Sequence, residues 1–231
     1  MGLTMLIIKY DRTHDTNMLK ALVFDFDGTL ADTFQSVIDS VNDVKDRYRF
    51  DHIHDPEPLR EKHWYDIIRN ELRIPFLRIP SFYRRVKRKA RARFLEAELF
   101  PEITDLLQAL SRQFDVIILT SNHEYIVRRV LEEHSIEVDE IIGDVPIFRK
   151  ASALTGMLKR RKLRTHELFY IGDEVRDIKA CKKANIPVCA VTWGFHSKEF
   201  LRRAEPDYLI ETPAELLQLV LALASSSRRR T

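Results

Sequence analysis

The chain has 231 residues, 45% of them hydrophobic and 32% charged, with a formal net charge of +3. That balance suits one large globular domain, or a domain carrying an insertion, and excludes fibrous or extensively disordered classes. No apolar run approaches the roughly 20 residues of a membrane span, and so mild a positive charge does not by itself call for nucleic acid.

Residues 1–17 read as a leader that contributes little to a core. Their short apolar patch lacks the basic flank and the length of a secretory signal, so a cytoplasmic location is expected. Short apolar runs follow at Leu22-Val23-Phe24, Val116-Ile117-Ile118-Leu119, Ile141-Ile142, Leu168-Phe169-Tyr170-Ile171, Val188-Cys189-Ala190-Val191 and Tyr208-Leu209-Ile210. Most are continuous rather than alternating, as in strands buried on both faces of a parallel sheet. Amphipathic stretches at about 103–113, 125–134, 151–161, 177–184 and 213–223 predict the intervening helices. Strand–helix alternation implies a doubly wound, Rossmann-like α/β core over residues 18–32 and 100–224. Residues 33–99 contain no strand run and read as a helical cap inserted after the first strand, broken by turns at Pro56, Pro58, Pro75 and Pro80. Ser225 to Thr231 reads as a frayed, flexible tail. Cys181 and Cys189 have no metal-ligand spacing and read as small buried side chains in a reducing compartment.

The chemistry gathers at the ends of the strands. The first strand closes in Asp25-Phe26-Asp27-Gly28-Thr29-Leu30, where residues two apart point to one side, so that Asp25 and Asp27 lean into one site. Two carboxylates this close require a cation or a shared proton. The second ends in Thr120-Ser121-Asn122, whose hydroxyls and N–H groups before a helix suit an anion. The fourth runs into Gly172-Asp173-Glu174-Val175-Arg176-Asp177. Acidic and polar groups from three strands at one sheet edge mark a site rather than three unrelated turns.

These motifs, with Lys150 about 22 residues before Gly172, resemble those of the haloacid dehalogenase-like hydrolases, in the branch that holds phosphoglycolate phosphatases. Thr192-Trp193-Gly194-Phe195 resembles the same branch. The resemblance implies a phosphatase that hydrolyses a small phosphorylated metabolite through an aspartyl-phosphate. Asp25 would be the nucleophile and Asp27 the general acid and base. Mg²⁺ would be held by Asp25, Asp173 and the Asp27 carbonyl, with Asp177 orienting a metal-bound water. Gly28, Thr120, Ser121 and Asn122 would bind phosphate, and Lys150 would balance charge, in preference to its rivals Lys159 and Lys162.

The same motifs admit a β-phosphoglucomutase-like sugar-phosphate mutase or a nucleotide or sugar-phosphate phosphatase, whereas Asp27 argues against dehalogenation, which needs no acid. Residues 78–93 hold a basic run beside Phe82 and Tyr83. It reads first as a solvated face, second as a substrate contact and last as a nucleic-acid footprint. Trp64 reads as cap core, and neither it nor His63, Tyr65 or His123 is assigned a catalytic role.

Overall fold

In a computed structural model that describes residues 19–228, the six apolar runs form one parallel sheet. The strands are β1 Ala21–Phe24, β2 Asp115–Leu119, β3 Glu140–Ile142, β4 Leu168–Gly172, β5 Val188–Val191 and β6 Tyr208–Ile210, in spatial order β3-β2-β1-β4-β5-β6. Their continuous hydrophobicity has a direct cause, because alternate residues enter different cores. Leu22, Phe24, Val116 and Ile118 pack with one cluster, while Ala21, Val23, Ile117 and Leu119 pack with the other. Helices α5 Ile103–Leu110, α6 Glu124–Glu133 and α10 Pro213–Arg228 cover the first face. Helices α7 Lys150–Arg161, α8 Val175–Ala184 and α9 Lys198–Arg203 cover the second.

The order of strands reverses beside β1, so the crevice at the carboxyl ends of β1, β2 and β4 is the switch point of the sheet, where open α/β folds hold ligands.

Residues 34–95 form the inserted cap. Helices α1 Phe34–Asn42 and α4 Ile79–Leu95 pack against each other, with α2 Lys45–Tyr48 and α3 Trp64–Asp66 between them in sequence. Val41, Val44, Tyr48, Ile67, Ile68, Leu72, Ile74 and Phe82 give the cap a core of its own, with Trp64 packed against it. The chain leaves and re-enters the α/β core side by side: Ala31 pairs antiparallel with Leu99, and the Asp32 N–H donates to the Glu98 carbonyl at 2.9 Å.

Three details differ from expectation. Helix α8 begins at Val175, because Glu174 and Asp177 form a capping box. Helix α9 was not foreseen, since six residues are too few to display a period. Helix α10 runs through Arg228, so Ser225 to Arg228 continue a helix instead of forming a frayed tail. The expected leader 1–17 and residues 229–231 lie outside the described residues. Among the described residues no helix is long and apolar enough to cross a membrane.

Candidate active site

β1 ends one residue before Asp25, whose side chain is buried at the switch point. β4 ends at Gly172 and delivers Asp173, also fully buried. The third carboxylate comes from Asp177 in the first turn of α8. Oxygens of Asp25, Asp173 and Asp177 all lie within 4.8 Å of one another.

Lys150 opens α7 and is itself 2% exposed. Its Nζ donates to Asp25 Oδ2, to Asp177 Oδ1 at 2.6 Å and to the Tyr170 hydroxyl at 3.0 Å. Burial alone would push the ammonium toward neutrality, but the charges of Asp177 and Asp25 outweigh it and raise its pKa. Lys159 and Lys162 are exposed at the far end of the same helix. The geometry thus brings Lys150 to Asp25 and leaves its rivals outside.

Asp173 accepts from the Thr29 hydroxyl at 2.8 Å and from the Phe195 N–H at 2.7 Å. Burial, then the neighbouring charge of Glu174, raises its pKa. Burial also raises that of Asp25, against the opposing pull of Lys150. The Asp27 carboxylate turns away from the three-acid cluster and accepts from Asn122 Nδ2 at 3.2 Å. Burial, then the charge of Asp25, pushes it up to about 7.

Of the residues expected to bind phosphate, Thr120 is buried and its Oγ1 accepts from the Asn122 N–H at 3.0 Å, which leaves its own O–H to donate. Asn122 contacts Asp27, so the structure gives it a positioning contact. Ser121 offers its carbonyl to Lys87 of the cap at 2.9 Å. Gly28 requires a correction. Its N–H donates to the Ala31 carbonyl at 2.9 Å because the chain turns back sharply after Asp27, so it is not free to grip a phosphoryl oxygen. Gly28 matters for its backbone: φ is +77°, and a β-carbon there would meet Asp173 Oδ2 at 2.2 Å.

Several contributors escaped sequence reasoning. Tyr170 and Thr29 touch the acids, but only the folded sheet shows which side of the strand end they occupy. Arg176 pairs with Glu174, and its buried Nε has no hydrogen-bond partner among the described residues. Its charge acts on Asp25 and Asp27, lowering the pKa of each against the effect of burial. His196 accepts the Val175 N–H at Nδ1 and faces the Lys62 carbonyl through Nε2, joining core to cap. His123 leads into α6 and lies 2.6 Å from Asp144, away from the acids.

Five carboxyl groups (Asp25, Asp27, Asp173, Glu174 and Asp177) thus meet two cations, Lys150 and Arg176. The excess of negative charge in a buried, all-oxygen cluster is what a hard divalent cation relieves, so the residues present fit such an ion.

This fold sets a cluster of buried aspartates at the switch point of a parallel sheet. The chain matches the haloacid dehalogenase-like hydrolases over residues 22–191. It is 31% identical over 210 residues to a phosphoglycolate phosphatase of Synechococcus elongatus, covering 89% of this chain and 99% of that protein. A phosphoglycolate phosphatase of Aliivibrio fischeri is 23% identical, covering 89% and 98%. A haloacid dehalogenase-like hydrolase of Streptococcus pneumoniae shares the fold with a TM-score of 0.75 at 24% identity, over 87% of this chain and 98% of that one. The chain therefore belongs to the haloacid dehalogenase-like hydrolase family, and its relatives place it among the phosphatases of that family.

Proposed function

We propose that the chain hydrolyses a small phosphate monoester through a phosphoryl group carried on Asp25, with phosphoglycolate as the leading substrate. The observation that carries this reading is Lys150, buried and bonded to both Asp25 and Asp177 beside Asp173. An aspartate held in this way is screened and aimed, and the surrounding acids suit a cation that draws the phosphate in. Asp25, Asp173 and the main-chain carbonyl of Asp27 would hold Mg²⁺, with Asp177 orienting a metal-bound water. The ion when bound offsets the repulsion between an anionic nucleophile and an anionic phosphate.

In the first half-reaction an oxygen of Asp25 attacks phosphorus and the bond to the ester oxygen breaks. Asp27, steadied by Asn122, gives its proton to that leaving oxygen. In the second, Asp27 takes a proton from water as the water attacks the acyl phosphate, releasing inorganic phosphate and restoring Asp25. Lys150 and the Thr120 hydroxyl face the charge that develops on the phosphoryl oxygens. Lys87, bonded to the Ser121 carbonyl, seats the cap over the site, and cap opening would admit substrate.

The substrate assignment rests on the named relatives and on Arg176. A small oxygen-rich ester with a carboxylate beside its phosphate needs a second cation near the first, and Arg176, paired with Glu174 next to Asp173, is the candidate for it. A reducing cytoplasm suits the unpaired, buried Cys181 and Cys189.

The test is phosphate release from a panel of small monoesters with and without Mg²⁺, in wild type and Asp25→Asn. Metal-dependent release that vanishes in the variant is expected. Undiminished turnover by Asp25→Asn would remove the nucleophile assignment, and a preference for another ester would remove phosphoglycolate.

A further inference from the structure

The basic run of the cap divides between the faces of α4. Phe82, Ala90 and Phe94 are buried. Lys87 and Arg91 point toward the α/β core, Lys87 to the Ser121 carbonyl and to Asp144 at 3.6 Å, Arg91 to the Tyr125 hydroxyl at 2.5 Å. A third face carries Ser81, Arg84, Arg85 and Arg88, at the spacing i, i+3, i+4, i+7 that sets residues in one stripe. Arg47, at the end of α2, stands opposite them. These five residues line a groove of about 400 Å³ on the outside of the cap, away from the catalytic acids.

The charges in this groove are unbalanced. Arg93, on the same helix, pairs with Asp43 at 3.0 Å. Among the described residues none of Arg47, Arg84, Arg85 and Arg88 has a carboxylate within ion-pair distance. Four guanidiniums converging from two helices repel one another unless an anion lies between them.

We infer that this groove is an anion-binding site for a compact polyphosphate, a chain of two or three linked phosphates. The guanidinium fork matches phosphate oxygens in pairs. The stripe from residue 81 to 88 is about 10 Å long at 1.5 Å rise per residue, which suits a short phosphate chain. A nucleic-acid strand strings its charges along a backbone and needs a longer track. Beyond Arg88 the track shortens to Lys89, because Arg91 reaches the Tyr125 hydroxyl and Arg93 pairs with Asp43.

The experiment is titration calorimetry with inorganic tripolyphosphate in metal-free buffer, on wild type, Arg84→Ser/Arg88→Ser and the charge-matched control Lys159→Ser/Lys183→Ser. All four substituted positions are exposed and lie outside the catalytic machinery. Wild type binds one tripolyphosphate with an affinity that falls as KCl rises. The arginine double variant binds about ten-fold or more weakly, and the control stays within about two-fold, the contrast expected of paired rather than diffuse charge. ATP in a parallel arm tells the sources apart. Equal affinity shows that the phosphate chain alone is read, and tighter ATP binding shows that a nucleoside adds contacts. Equal loss in both variants, no loss in the arginine variant, or binding of single-stranded DNA without tripolyphosphate would each overturn the proposal. Phosphate release measured alongside is expected to be unchanged in both variants.

Discussion

The backbone at Gly194 rests on the carbonyl oxygen of Gly28. A β-carbon on residue 194 would stand 2.1 Å from that oxygen and 2.4 Å from Asp173 Cβ. The turn after β1 and the loop after β5 are thus held together by the absence of a side chain. Gly194→Ala forces them apart, at an expected stability cost of about 1–3 kcal/mol. Because Asp173 is one of the displaced groups, turnover falls further, by about 100-fold for a shift of order 1 Å. Thermal unfolding and phosphate release measured together check this, and a wild-type rate in the alanine variant would show that the contact is slack.

Lys150 ties Asp25 to Asp177 in a buried site and therefore bears on stability. Lys150→Ala strands Asp25 and Asp177 without their shared cation in a buried site, and is expected to destabilise the fold by about 3–5 kcal/mol while abolishing turnover. Lys159→Ala, on the exposed face of the same helix, is expected to change stability by less than about 0.5 kcal/mol. Equal effects in urea unfolding and phosphate release would refute the distinction between them.

His196 predicts a pH limb. Burial, then the nearby charge of Arg176, lowers its pKa to about 4 from an ordinary 6.5. Between these values the unfolded chain binds the extra proton, so stability rises with pH across that window. The contribution is complete above about 6.5 and is lost toward pH 4, amounting to about 3 kcal/mol. Urea midpoints from pH 4 to 8 should show this slope, shallower in His196→Asn. An unchanged slope in the variant would assign the limb to other groups.

Arg176→Gln separates substrate reading from chemistry. With phosphoglycolate the KM is expected to rise about 10–100-fold, as for loss of a charge-assisted hydrogen bond. With 2-hydroxyethyl phosphate, which lacks the carboxylate, only the smaller loss that follows from removing a cation near Asp25 and Asp27 is expected. A uniform loss on both esters would make Arg176 only a counter-ion for Glu174 and its neighbours.

The sheet was legible because each strand is short, apolar and bounded by turn residues, and all six were located from the sequence. Asp25, Asp173, Thr120 and Lys150 could be placed together because they sit at strand or helix ends, where sequence position fixes spatial position. The Gly28 N–H was not legible, since its partner Ala31 depends on a turn that local chemistry alone does not specify. Tyr170 has the appearance of any strand aromatic until β4 is paired and its hydroxyl meets Lys150. The basic run of α4 could not be apportioned in advance, because which cations meet the core depends on how the cap is seated. Lys87 and Arg84 lie within one turn of each other, yet Lys87 bonds the Ser121 carbonyl and Arg84 lines the outer groove.

The antiparallel neck at Ala31 and Leu99 gathers the two ends of the cap, which also packs Phe34 and Ile38 on Phe195 and Ala90 and Phe94 on Ile126. Both of its ends emerge at one place, and all six strands of the sheet come from outside the cap. A chain joined across Asp32 and Glu98 should keep the far-UV signature of the α/β core and lose selectivity among esters. Lineages built on such a plan can exchange what stands above the acids, and so what the catalyst accepts, while the reactive centre is inherited intact.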